Sequence, residues 1–263
     1  MSLEKINELL TDNKAVFLAL DQGLEHGPTD FNEKNINPEY ILDIAHKGNY
    51  NALILQKGLA EKYYENYRYK IPLIIKLNGK TNITKEKVDP YSPQICSVNY
   101  AVKLGATAIG YTIYPGSYHE ADMFKEFSKI QEEARENDLP VILWAYPRGH
   151  GIDENDNNTI AYAARTALEL GADLMKIKYN GNKEGFKWIV KCAGKTKVFV
   201  SGGTKLEPKS FLQEVYDIMQ AGASGMAIGR NIWQSQEPLK LTRAVKEIIF
   251  ENKKPEQVMR LLK

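Results

Sequence analysis

Apolar runs of six to eight residues recur along the chain, separated by longer segments of helical spacing. Eight can be traced: "AVFLALD" (15–21), "NALILQ" (51–56), "PLIIKLN" (72–78), "ATAIGYTI" (106–113), "PVILWAY" (140–146), "ADLMKIKY" (172–179), "KVFVSGG" (197–203) and "GMAIGR" (225–230). Short, nearly continuous apolar runs suit strands buried on both faces of a parallel sheet, where neither side needs a solvated row. Between them, "PEYILDIAHKG", "LAEKYYENYRYK", "EADMFKEFSKIQEEARENDL", "NNTIAYAARTALELG", "KSFLQEVYDIMQAG" and "LKLTRAVKEIIFEN" carry apolar residues at helical spacing. Gly105, Gly171 and Gly222 each close a helical run just before a strand, where a left-handed cap is expected. Eight β/α repeats predict a closed α/β barrel, a single-domain (β/α)8 TIM barrel over residues 1–263. The rival open sheet carries GxGxxG after its first strand, and "ALDQGLEHGP" lacks it.

Barrels of this kind place chemistry at the C-terminal ends of their strands. Here those ends are polar: Asp21, Gln56, Lys76 and Asn78, Tyr146, Lys176 and Lys178, Ser201 and Arg230. The period of two puts Leu174, Lys176 and Lys178 on one face and Met175, Ile177 and Tyr179 on the other. The apolar face suits the helices, so the lysines point toward the barrel axis. One reading is a solvated or ion-paired couple. The other is an imine-forming amine, which must be neutral to attack a carbonyl and is helped by desolvation and by a neighbouring ammonium. Lys178 is the expected neighbour of Lys176.

Trp144 and Tyr146 share a face of the fifth strand beside Lys176. The phenol is a competent acid or base; the indole suits a packed core as well as a substrate wall. Arg148 reads either as an anion ligand or as a surface arginine. After strands seven and eight, "SGGTK" and "AIGRN" bring Ser201, Gly202, Gly203, Gly229 and Arg230 to the place where barrels often hold phosphate, and "NIWQSQ" predicts a short helix there.

Composition narrows the partners. With 43% hydrophobic residues, 26% charged residues and a formal net charge of +2, the chain lacks a broad basic footprint for nucleic acid, and a small phosphorylated molecule is the expected partner. Cys96 and Cys192 form no CxxC pair, which points to reduced thiols in a cytoplasm. "MSLEKINELL" lacks the apolar core of a secretory signal, and no apolar run approaches the ~20 residues of a membrane span. His26, His119 and His150 fall in loops after strands one, four and five, but no HxH or HxxxH spacing joins them, so no metal is expected.

"LALDQGLEHGP", "LWAYPRG", "GADLMKIKYNG", "VSGGTK" and "AGASGMAIGRNIWQ", in that order, resemble the archaeal-type class I fructose-1,6-bisphosphate aldolases, a family also found in bacteria. The resemblance implies Lys176 as the Schiff-base lysine, Tyr146 as the main proton donor and acceptor, Trp144 as its neighbour and Asp21 as the first-strand carboxylate. Ser201, Gly202, Gly203, Gly229 and Arg230 fall on the family's phosphate site; Arg148 and Lys178, by their positions beyond strands five and six, are read as further substrate contacts. It also implies a cofactor-free, reversible cleavage in glycolysis and gluconeogenesis, and a large homo-oligomer such as a decamer. Many relatives read Asp-His-Gly where this chain has Asp21-Gln22-Gly23. A sister group makes an aminodideoxy-heptulosonate and another acts as thiolases; both tend to lack counterparts of Trp144 and Lys178. A transaldolase of the sister type and a non-catalytic phosphosugar-binding barrel remain the alternatives.

Overall fold

Eight parallel strands close on themselves in sequence order, each hydrogen-bonded to the next and β8 to β1. The computed structural model describes residues 5–83 and 89–262; the first four residues of the "MSLEKINELL" opening lie outside that range. The strands are β1 (Ala15–Leu20), β2 (Ala52–Gln56), β3 (Leu73–Lys76), β4 (Ala108–Ile113), β5 (Val141–Ala145), β6 (Leu174–Ile177), β7 (Lys197–Ser201) and β8 (Gly225–Ile228). The longer helices are α3 (Pro38–Lys47), α4 (Lys57–Tyr63), α5 (Val98–Lys103), α6 (Glu120–Glu136), α7 (Asn157–Glu169), α8 (Lys183–Cys192), α9 (Pro208–Gln220) and α11 (Pro238–Glu251). Four short ones complete the set: α1 (Ile6–Leu9), α2 (Gly23–His26), α10 (Arg230–Trp233) and α12 (Pro255–Val258).

The predicted alternation of faces holds on β6. Leu174 joins Phe17, Ile54, Ile74, Ile142 and Phe199 inside the barrel, whereas Met175 and Ile177 pack outward against the helices. Phe17 and Phe199 stack across the interior with centroids 4.7 Å apart. Each such side chain, fully removed from water, contributes about 1.5–3 kcal/mol. At the N-terminal end Leu9 of α1 is fully buried against this cluster, with Ile6 and Leu10 beside it. The helix forms a floor. Outside, α6 buries Met123, Phe127, Ile130 and Ala134, an i, i+4, i+7, i+11 stripe that covers the sheet.

Gly105, Gly171 and Gly222 have φ of +85°, +81° and +98°, the left-handed geometry expected of helix ends that must turn back into a strand. The strands are shorter than the apolar runs, so Asp21, Tyr146, Lys178, Gly229 and Arg230 lie just past the last paired residue. There the chain leaves the ladder and polar side chains gather. The helical pattern of "LAEKYYENYRYK" also stops early: α4 ends at Tyr63 and gives way to a 3₁₀ turn over Glu65–Tyr67. Tertiary bonds override the periodicity there, with the Tyr64 hydroxyl donating to Ile71 O at 2.6 Å and that of Tyr67 to Asp43 Oδ1 at 2.7 Å.

Candidate active site

A cleft of about 180 Å3, open to solvent, occupies the C-terminal mouth of the barrel. The eleven residues read from the sequence as catalytic or substrate-binding all line it. Asp21, Trp144, Tyr146 and Lys176 lie at its bottom and sides; Arg148 and Lys178 form one rim; Ser201, Gly202, Gly203, Gly229 and Arg230 form the other.

The floor of the cleft is an indole. Trp144 pairs in register with Thr112 on one side and Lys176 on the other, and it is 1% exposed. It can lie across β4 because residue 110 is glycine: a Cβ there would fall on Cζ3 and Cη2 of the ring. Over that ring stand two ammonium nitrogens, Lys176 Nζ and Lys76 Nζ, each 5.2 Å from its centroid. Such contacts attract a cation, yet both lysines are 7% exposed. Burial lowers the pKa of each, and the Asp21 carboxylate opposes that shift in both.

Asp21 distinguishes the two amines. Its Oδ2 is 3.4 Å from Lys76 Nζ, with both side chains 8% exposed. Burial alone would raise the Asp21 carboxyl, but Lys176 and Lys76 outweigh it and hold it below the ordinary aspartate value. Lys176 has no hydrogen bond or ion pair with any carboxylate among the described residues. Asp21 therefore makes a direct contact with Lys76 and acts on Lys176 only through space.

The expected neighbour of Lys176 is placed differently. Lys178 lies one residue past β6 and is bound through Nζ to Glu154 Oε1 at 2.7 Å. The neighbouring cation is instead Lys76, brought in from β3. Glu154 also accepts from Arg148 Nε at 3.1 Å, while Arg148 Nη1 lies 3.5 Å from Glu25. Arg148 and Lys178 are thus gathered into one cationic rim by a carboxylate from the loop before α7. The Arg148 guanidinium also lies 5.4 Å from the ring centre of Tyr146.

Burial pushes the Tyr146 phenol well above its ordinary value, helped by the Asp21 carboxylate and opposed by Arg148 and the Ser201 hydroxyl. At neutral pH it is a proton carrier in its acid form. Across the cleft, Arg230 opens α10, as "NIWQSQ" predicted to within a residue. Its guanidinium reaches Asp30 Oδ1 at 3.3 Å and Gly203 O at 3.1 Å. Asn231 fixes the glycine loop by donating to Gly202 O and to Thr204 O and by accepting from Leu206 N. Gly203 needs its residue type, with φ at +61°.

Asn78 and Gln56 close strands but serve the scaffold. Asn78 is fully buried, donates to Ser92 O and Thr112 O, and accepts from Thr112 N at 2.8 Å; Gln56 donates to Asn78 O. The loop histidines do not converge: His26 Nδ1 is 2.6 Å from Asp30, and His119 lies 5.3 Å from the Tyr91 ring. Among the described residues no three His, Cys, Asp or Glu side chains gather as metal ligands would. Lys76 also lines the cleft, a residue that strand-end reasoning named without giving it a role. Its signal was the one applied to Lys176, a lysine inside an apolar run.

A closed parallel barrel whose mouth holds desolvated lysines, a phenol and an arginine-bearing glycine loop is the architecture of a barrel aldolase. Residues 15–235 match the DeoC/LacD family aldolases, and the chain belongs to that family. Its similarity is sharper within it. The chain is 48% identical over 245 residues to the class 1 fructose-bisphosphate aldolase of Thermoproteus tenax, covering 92% of this chain and 91% of the relative. It is 38% identical over 269 residues to a fructose-bisphosphate aldolase/6-deoxy-5-ketofructose 1-phosphate synthase of Methanocaldococcus jannaschii, covering 95% and 86%. A solved archaeal fructose-1,6-bisphosphate aldolase, with its catalytic lysine covalently bound to the carbinolamine intermediate of the substrate, superposes with a TM-score of 0.88 at 46% identity, covering 94% and 98%.

Proposed function

We propose that the chain is a Schiff-base, class I fructose-1,6-bisphosphate aldolase that reversibly yields dihydroxyacetone phosphate and glyceraldehyde 3-phosphate, within glycolysis and gluconeogenesis in the cytoplasm. The observation that carries this reading is the division of the buried lysines: Lys76 pairs with Asp21, whereas Lys176 is desolvated without a carboxylate partner. Lys176 attacks the C2 ketone; loss of water gives an imine whose cationic nitrogen accepts the electrons of the C3–C4 bond. Tyr146, a phenol at rest, gives its proton to the departing hydroxyl as the imine forms, and the phenolate left behind takes the proton of the C4 hydroxyl as the C3–C4 bond breaks. Asp21 holds a substrate hydroxyl or relays a proton. The aldehyde leaves, and the enamine is protonated at C3 and hydrolysed to release the ketone.

Two cationic rims face a substrate with phosphate at both ends. Arg230 with the Ser201–Gly203 turn and Gly229 suits one phosphate; Arg148 and Lys178, already converging on the Glu154 carboxylate, suit the other. Trp144 is the apolar floor beneath the reacting carbons. No cofactor enters these steps. The relative with a second activity favours one further reading, the same imine chemistry on a different carbonyl partner. Exposed Tyr162 and Trp188 on the neighbouring helices α7 and α8 support assembly into a homo-oligomer, which sedimentation tests.

Borohydride reduction in the presence of dihydroxyacetone phosphate, followed by intact-mass measurement and peptide mapping, tests the proposal. A chelator-insensitive adduct on Lys176, absent in Lys176→Ala, is expected. An adduct on Lys178 or Lys76 reassigns the nucleophile; no adduct together with chelator-sensitive turnover refutes Schiff-base chemistry.

A further inference from the structure

Two lysines and one carboxylate share the bottom of the cleft, and their charges do not balance. If both amines were protonated, a single buried anion would face two buried cations. Taking a charge out of water is costly unless it is paired. The least costly relief is loss of a proton from whichever amine lacks the partner. Which one that is depends on Asp21.

We infer that Lys76 is a positioning residue for imine formation: by pairing with Asp21 it keeps that carboxylate from capturing the Lys176 ammonium, leaving Lys176 free to lose its proton. The inference rests on the reading of Lys176 as the imine-forming residue. The geometry that carries it is the 3.4 Å contact between Lys76 Nζ and Asp21 Oδ2, with no corresponding ion pair for Lys176 among the described residues. Both nitrogens share the Trp144 ring at 5.2 Å, so neither can move toward bulk water without leaving the indole.

Other charges around Lys176 are already committed. Glu25, the remaining carboxylate that acts on Lys176, lies 3.5 Å from Arg148 and 3.8 Å from Lys80. Arg148 and Lys178 are turned to Glu154, and Arg230 and His26 to Asp30. The Tyr146 phenol stays protonated. Asp21 is thus the one anion whose allegiance is decided between the two lysines.

Removing Lys76 strands the carboxylate beside Lys176, and an opposite charge within hydrogen-bonding reach moves a titration midpoint by about one to three pH units. The rate of Lys176 adduct formation with dihydroxyacetone phosphate and cyanoborohydride is measured by intact mass between about pH 5 and about pH 9. In Lys76→Met the midpoint is expected to rise by at least about one pH unit, and in Asp21→Asn to fall. The double variant should return to the parent midpoint or below it, and Lys76→Arg should stay near the parent. An unchanged or lowered midpoint in Lys76→Met overturns the inference. If Lys76→Met does not fold, Asp21→Asn decides: an unmoved or raised midpoint overturns it, and a lowered one with Lys76→Arg unchanged supports it. Absence of a Lys176 adduct in the parent itself fails the Schiff-base reading, an outcome separate from any shift among the variants.

Discussion

Gly110→Ala tests how the cleft floor is built. The glycine on β4 faces the six-membered ring of Trp144, and an added Cβ would overlap Cζ3 and Cη2. Carbon atoms need about 3.5 Å, so ring and strand must separate by more than about 1 Å. Trp144 is 1% exposed and has no solvent into which to yield. Overpacking of this kind costs about 1–3 kcal/mol, each kcal/mol lowering the melting temperature by about 2–4 °C in a domain of this size. A displaced indole also shifts the surface under both lysines, so adduct formation on Lys176 should slow. Urea unfolding and the borohydride assay read the two effects. Gly58→Ala is the control: it lies in α4, nothing stands within 4 Å of its added Cβ, and it should be neutral or stabilising by up to about 1 kcal/mol. If Gly110→Ala unfolds at the parent midpoint and traps substrate at the parent rate, the account of the floor is wrong.

Tyr146→Phe should retain adduct formation on Lys176 while turnover falls by about 10²- to 10⁴-fold, as single-turnover and steady-state assays of fructose 1,6-bisphosphate cleavage will separate. Lys176→Met should abolish trapping and raise the urea midpoint, because an apolar side chain of similar length replaces a desolvated amine. The sign carries to pH: with its pKa depressed in the folded state, Lys176 makes parent stability rise as pH climbs from that folded pKa toward about 10.4, and the variant should lack that share of the rise. Asn78→Ala removes three buried hydrogen bonds between the ends of β3 and β4 and the loop at Ser92. It should cost about 2–4 kcal/mol in urea unfolding, and equal stability would show that the bonds are replaced.

The barrel was legible because every strand is buried on both faces, so each left an unbroken apolar run. Its capping glycines were legible for a stricter reason: Gly105, Gly171 and Gly222 hold angles that a side chain would strain. Lys176 stood out as a cation within such a run, and period two gave its direction. Pairings across the mouth were another matter. Glu154 sits in an irregular loop where no periodicity assigns a facing, and it is Glu154 that Lys178 meets at the rim. Lys76 and Asp21 are separated by 55 positions, and their contact follows from barrel closure, not from local spacing. Asn78, polar at a strand end, reads from sequence like a site residue; the carbonyls it bonds come from segments that only the fold brings together.

The floor formed by α1 has a consequence for traffic. With Leu9 fully buried against the interior cluster, the described barrel is filled at its N-terminal end, and the cleft opens at the C-terminal mouth. A reaction that splits one molecule in two there must discharge its fragments in turn. On the proposed mechanism the fragment tethered to Lys176 waits while the other passes outward between the arginine-bearing rims, and the water that frees the tethered half enters after it. The covalent tether sets the order of departure, and the filled N-terminal end directs both halves to the same mouth.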